Sequence, residues 1–419
     1  MKRLIAVSAL VVRRLSTAVF LLGVVVATSS TLCAAVSLGL QQASAAGPPS
    51  PKGSFYFPPK PLPKAAAGTL IWAERVAQPK LNPPGTIWRI LYHSTNRTGT
   101  DIAVSGFAIV PLTPVPAGGH RAIYAWAHGT VGQGDQCAPS RQIRDNLPVY
   151  GGMEIQQGVA LVSTDYEGLG TPGVPTYLEG ISEGHAVLDS VRAAAQLPGV
   201  GPPGAVVLAG HSQGGGAALW AAQLAHTYAP ELDIRGVVAL APAAYFETVL
   251  HAYGKPPFDK TIGNMILAVD GWHAAYGKAF DPSRVLSQAA ADYLPTASTQ
   301  CVAATMARWM NMPITSVMAH DPSTVPSVAH ILAAESPGST NPGMPIYLAQ
   351  GTHDEQVPLE VTAELETDYC RLGANLSRHV YPNVDHNGVL DAAQVDVLAW
   401  LSDRYAGRPA TSDCRCPAR

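Results

Sequence analysis

The sequence predicts an α/β fold, a mostly parallel sheet flanked by helices, entered through antiparallel strands and carrying one late helical insertion. Three observations point to it. Short runs such as 205–209 and 236–240 are apolar on both faces, as strands buried in a parallel sheet must be. These runs alternate with helix-length segments, the rhythm of βαβ units. Between residues 246 and 336 that rhythm stops, and helical pieces broken by Gly and Pro take over.

Composition narrows the class. The 419 residues are 47% hydrophobic and only 14% charged, so the chain can bury a large core and is not a disordered polyelectrolyte. A net charge of -3 with no long basic run gives no field for nucleic acid. Lys2, Arg3, Arg13 and Arg14 precede an apolar stretch, 17–40, that ends at Ala43-Ser44-Ala45. A positive n-region, an apolar h-region and an A-x-A site predict a signal peptide over 1–45 and a secreted or cell-envelope protein. Because the stretch is long for a signal, an uncleaved anchor is the alternative. Cys137, Cys301, Cys370, Cys414 and Cys416 would remain, enough in an oxidising compartment for two disulfides with one thiol over. None forms the C-x-x-C pairs with histidines of a zinc site, so no metal is expected.

In chain order, residues 46–68 form a Pro-rich arm. The β-type segments 69–76, 86–94 and 102–111 then make antiparallel strands at one sheet edge. Residues 122–127 begin the buried strands and run into His128-Gly129-Thr130-Val131-Gly132-Gln133-Gly134. A glycine-rich loop at a strand's C-terminal end brings backbone N–H groups near a substrate oxygen. Strand 159–164 leads to Asp165 and Glu167, expected to brace loops. A helix runs from 182 to 195, with His128 and His185 in structural roles. Strand 205–209 and helix 215–228 flank the box Gly210-His211-Ser212-Gln213-Gly214, and strand 236–240 follows. The body, 69–245, gives way to a cap, 246–336, with helices expected over 285–293 and 302–310. The body resumes over 337–408 with strand 345–350, helix 360–372, strand 378–381 and helix 390–405. A Cys-containing tail, 409–419, ends the chain.

The chemistry gathers on three loops. Strand, sharp turn and helix around G-x-S-x-G make Ser212 the expected nucleophile. Asp354 follows strand 345–350, and His386 lies in a D-H-N-G turn before the last helix, which singles it out among thirteen histidines. The order Ser, Asp, His is that of α/β hydrolases. Serine is a weak nucleophile at its own pKa, so a neutral imidazole must take its proton, and a buried carboxylate must fix the imidazole tautomer. Two N–H donors would meet the oxyanion, one from Gln213 and one from the loop at Gly129 and Thr130, each lowering the barrier by about 3 kcal/mol.

Beyond these, Ala127-His-Gly-Thr130, Cys137-Ala-Pro-Ser140, Thr164-Asp-Tyr-Glu-Gly-Leu-Gly170, the serine box, and Gly351-x-x-Asp354-x-x-Val-Pro358 resemble the secretory lipase family. The resemblance spans about residues 70–405. It implies an α/β hydrolase with a helical lid that cleaves long-chain acyl esters, chiefly triacylglycerols, without a cofactor. The family's nucleophile, acid and histidine fall on Ser212, Asp354 and His386, and its oxyanion loop on Gly129 and Thr130. Its disulfides imply Cys137 with Cys301, and Cys370 with Cys414 or Cys416.

The function expected is a secreted serine lipase or esterase whose partners are a lipid or ester substrate and, transiently, a lipid–water interface. The same residues would serve an acyltransferase or a small-ester esterase. A non-catalytic lipid-binding protein is the reading from another class.

Overall fold

The structure is a computed structural model and describes residues 50–414, apart from 52, 54, 78–84, 254 and 257. The leader at 1–45 and Cys416 lie outside the described residues. The sheet has nine strands: β1 (Leu70–Arg75), β2 (Gly85–Thr95), β3 (Asp101–Pro111), β4 (Arg121–Ala127), β5 (Ala160–Thr164), β6 (Pro203–His211), β7 (Ile234–Leu240), β8 (Ile346–Gly351) and β9 (Leu376–Tyr381). Their order is β1-β2-β3-β5-β4-β6-β7-β8-β9. The first three strands pair antiparallel, and β3 also meets β5 antiparallel. From β5 to β9 every pairing is parallel. A mostly parallel sheet behind an antiparallel edge is the fold class the alternation of segments predicted.

Eleven helices are described: α1 (Gly151–Gln156), α2 (Gly180–Ala195), α3 (Gln213–Tyr228), α4 (Phe246–Ala252), α5 (Asn264–Tyr276), α6 (Gln288–Ala297), α7 (Val302–Trp309), α8 (Pro326–Ala334), α9 (Leu359–Arg371), α10 (Val389–Ala392) and α11 (Gln394–Tyr405). Period-2 alternation divides the central strands between two cores. Ile123, Ala125, Val206 and Leu208 face α2, α3, α9 and the cap helices. Tyr124, Trp126, Val207 and Ala209 face α1, α10 and α11. Because β4, β6, β8 and β9 run parallel, their C-terminal ends share one rim, where α/β sheets hold their ligands.

Two differences from expectation have local causes. The helix expected over 285–293 begins only at Gln288, because the Ser287 side chain caps it by accepting from Ala290 N, 3.2 Å. Leu286, just before, is held in a bridge to Met318. Helix α1 has no sequence counterpart above, being one turn and a half of Gly-Gly-Met-Glu-Ile-Gln.

The segment α4 to α8, where a cap is expected, is tied to the rest of the chain at several places. Cys137 and Cys301 form a disulfide beside the backbone bonds Gln133 N to Gln300 O, 3.1 Å, and Val302 N to Val131 O, 2.8 Å. At its far end Glu335 accepts from Gly180 N, 2.7 Å, and from the Tyr276 hydroxyl. Burial and the nearby charge of Glu179 push Glu335 up to about 7. A second disulfide, Cys370 to Cys414, clips the tail to α9. The N-terminal arm packs Phe55 and Tyr56 onto Trp72 and Leu91, with the Trp72 indole donating to Phe55 O, 2.8 Å.

Candidate functional site

Ser212 sits between β6 and α3 at φ 59, ψ -121, a conformation that costs an L-residue about 1–3 kcal/mol. The turn is pinned on both sides: Ser212 N donates to Leu240 O, 2.9 Å, and Ser212 O accepts from Ala243 N, 2.9 Å. It also requires its glycines. A Cβ on Gly214 would lie 1.9 Å from Ala127 O, and one on Gly210 would lie 2.1 Å from Gly214 O. Strand and helix meet too closely for any side chain there, so the serine stands at the tip of a tight elbow.

Asp354 follows β8 and is 6% exposed. One carboxylate oxygen, Oδ1, accepts from Gln356 N and Val357 N, each 2.8 Å. The other, Oδ2, accepts from Gln350 Nε2, 2.7 Å, and from His386 Nδ1, 2.8 Å. With Nδ1–H committed to the carboxylate, the neutral ring carries its lone pair on Nε2. Of the neighbouring acids, Asp385 instead caps its own turn by accepting from Gly388 N, 2.6 Å. Glu355 engages Thr261 only through its carbonyl.

His386 is buried, and its loop is held from behind by His211, whose Nε2–H donates to His386 O, 2.9 Å. Burial and the neighbouring His386 push His211 down to about 3, so it stays neutral and acts as a fixed donor. Ser212, His211 and His386 all line one open groove of 700 Å³ with Gly129 and Thr130. Among the described residues the Ser212 hydroxyl has no hydrogen-bond partner.

The loop after β4 comes close to the serine: a Cβ on Gly129 would be 3.7 Å from Ser212 Cβ. Among the described residues, the N–H groups of Gly129 and Thr130 donate to nothing. The N–H of Gln213, first residue of α3, has no intrahelical acceptor. The Thr130 hydroxyl meets the Tyr177 hydroxyl at 2.7 Å. Gln213 is steadied by its side chain, which donates to Glu183 Oε1, 2.6 Å. Burial raises Glu183 to about 8.

The other conspicuous acids and histidines are braces. Asp165 accepts from Ser105 Oγ, 2.6 Å, from Ser140 N, 2.9 Å, and from Ser140 Oγ. It thereby knits the Cys137-Ala-Pro-Ser140 segment to the sheet. Glu167 accepts from Thr176, 3.2 Å. His128 lies against Tyr166, and burial lowers its pKa. His185 stacks on Tyr228 and donates to Thr95 O, 2.8 Å. Sequence reasoning missed His211, Gln350 and Glu183. The first two sit at the C-terminal ends of β6 and β8, a positional signal, whereas nothing local marks Glu183. Among the described residues no cluster of His, Cys, Asp and Glu could hold a metal ion.

A family model described as secretory lipase matches residues 145–413. The chain belongs to the secretory lipase family. It is 27% identical over 385 residues, 85% of this chain and 82% of the relative, to a probable inactive lipase of Mycobacterium tuberculosis. It is 25% identical over 417 residues, 93% of this chain and 87% of the relative, to lipase A of Moesziomyces aphidis. Among solved structures it resembles Candida antarctica lipase A in its closed state, with TM-score 0.75, 23% identity, and 89% and 91% of the two chains covered. That last likeness is one of fold, and it is the α/β hydrolase fold. Family membership makes the chain a lipase- or esterase-type hydrolase of a group named for secretion.

Proposed function

We propose that this chain is an exported serine carboxylic-ester hydrolase in which Ser212 is the nucleophile, His386 the base and then acid, and Asp354 the orienting carboxylate. The observation that carries the proposal is the Asp354–His386 bond, 2.8 Å, ending at the groove onto which Ser212 opens. Ser212 Oγ attacks the ester carbonyl as its proton passes to His386 Nε2. The oxyanion is met by the N–H of Gln213 and an N–H from Gly129 or Thr130. Collapse breaks the bond to the alcohol oxygen, which takes the proton from His386 and departs, leaving an acyl-serine. Water, giving its proton to the same imidazole, then releases the acid and restores the serine.

No step needs a cofactor. A lipid or other acyl ester is the substrate class, supported by the family and by relatives named lipases. Leu147 and Met310, 45% and 47% exposed at the rim of the groove, support transient contact with a lipid–water interface. The two disulfides suit an exported protein. An alcohol in place of water would make the same acyl-serine a transferase intermediate.

The test is labelling of the mature protein with a fluorophosphonate, alongside turnover of soluble esters. An adduct on Ser212 with ester turnover is the expected result. No adduct and no turnover would reject the hydrolase and leave a lipid-binding protein.

A further inference from the structure

Ser212 lines two spaces of very different size. One is the open 700 Å³ groove, which His386 also lines. The other is an adjoining pocket of 30 Å³ that shares Ser212, Asn264 and Gln356 with the groove and is otherwise walled mainly by apolar side chains, among them Tyr177, Phe246, Val249 and Met265. His386 is not among the residues that line that pocket.

Proton delivery assigns the two halves of an ester. The departing alcohol oxygen must take its proton from His386, so the alcohol lies in the groove. The acyl chain, on the other side of the carbonyl carbon, is directed into the pocket. At 30 Å³ against 700 Å³ for the groove, the pocket suits the tail of a short acyl group.

Just beyond lies a second apolar space of only 10 Å³, lined by Leu250, Trp272, Phe280 and Val328. Phe246 and Met265 line both spaces and form the partition between them. The partition is braced. Phe246 meets Trp272 edge to face, with centroids 5.3 Å apart, and the Trp272 indole is fixed by donating to Leu178 O, 3.1 Å.

We propose that the enzyme selects esters of short acyl acids, acetyl to butyryl, on bulky alcohols, and that Phe246 and Met265 set the limit on acyl length. The proposal rests on the hydrolase reading above. It is the reverse, in acyl length, of what resemblance to the family implies.

The experiment is a series of 4-methylumbelliferyl esters, acetate, butyrate, octanoate and palmitate, hydrolysed by the mature wild-type protein below the aggregation limit of each ester. The expected kcat/KM falls by at least about tenfold from butyrate to octanoate, in line with the effect of methylene groups that a pocket cannot hold. In Met265→Ala, and separately in Phe246→Ala, the ratio of octanoate to acetate kcat/KM rises about tenfold as the partition opens. Wild-type hydrolysis of octanoate as fast as acetate overturns the proposal without any variant, so a variant that fails to fold leaves it open to refutation. An unchanged ratio in both variants, each with a wild-type circular dichroism spectrum, removes Phe246 and Met265 as its cause. In either case a fluorophosphonate adduct on Ser212 keeps the hydrolase reading, whereas no adduct and no turnover of any ester overturns both together.

Discussion

Both oxygens of Asp354 are held by donors fixed to the sheet or its loops, and His386 is fastened from two sides, by Asp354 at Nδ1 and by His211 at its carbonyl. The cap side chains Phe246, Met265, Val302 and Met306 meet the same site through apolar contact alone. Directional bonds on a rigid sheet fix the atoms that must exchange a proton, because a displacement of an ångström there is costly in rate. Apolar contacts on short helices fix only how much room a substrate finds, and single side chains can change that room. On the proposed reading the body therefore supplies the chemistry and the cap the selection.

Breaking the body side should have the largest effect. Ser212→Ala is expected to lower kcat on the order of 10⁴- to 10⁶-fold while thermal unfolding stays near wild type, measured on the best ester. Asp354→Asn should cost about 10⁴-fold in kcat. Its amide would donate to His386 Nδ1, forcing the proton onto Nε2, where it cannot accept from serine. A wild-type kcat in this variant would break the comparison at its root.

The tether between the regions gives the next effect. Replacing Cys137 and Cys301 together by Ser opens a covalent loop with a sequence separation of 164 and should lower stability by up to about 5 kcal/mol by chain entropy. Hydrogen exchange should rise across α6 and α7 and stay slow in β6. Equal loosening of β6 would mean that the cap and body unfold as one.

Glu183 sharpens the body side through pH. Its folded pKa, about 8, lies above the ordinary carboxylate value of 4.5, so the native state keeps a proton that the unfolded chain has lost. Stability should therefore fall as pH rises from about 4.5 to about 8, by a few kcal/mol in all, and stay low above that. Glu183→Gln retains an acceptor for Gln213 and should flatten this part of the profile, read by urea denaturation between pH 5 and 9. An identical slope in wild type and variant would reject the assignment. The smallest effect is expected for Thr130→Val, which loses the bond to Tyr177 and keeps its backbone N–H. A fall in kcat of less than about tenfold is predicted from one neutral hydrogen bond, and a loss as large as that of Asp354→Asn would assign the hydroxyl itself to the reaction.

Much of the fold could be read from the chain because a buried parallel sheet leaves apolar runs and a helix leaves a stripe. The strand ends near residues 127, 211, 351 and 381 follow from that rhythm, and with them the loops that carry Gly129, Ser212, Asp354 and His386. The Ser212 elbow is legible because Gly210 answers a contact with Gly214 made within a few residues, although Gly214 itself answers one with distant Ala127. The partners of those residues are a different matter. His211 reaches the His386 loop through space, across 175 positions, and Glu183 meets Gln213 across 30. No local pattern encodes such a meeting. The cap is harder still, since its short helices take their ends from single capping residues such as Ser287 and their packing from distant side chains.

The sequence by itself determined the order of strands and helices, the turn that exposes a serine, and which side-chain types could exchange a proton, since these depend on periodicity and on neighbours in the chain. Only the tertiary structure decided that Asp354, rather than Glu355 or Asp385, faces His386, that Cys414 takes Cys370, and that a partition of Phe246 and Met265 stands behind the serine. Those outcomes depend on distances between segments far apart along the chain, set when two cores close on the faces of one sheet.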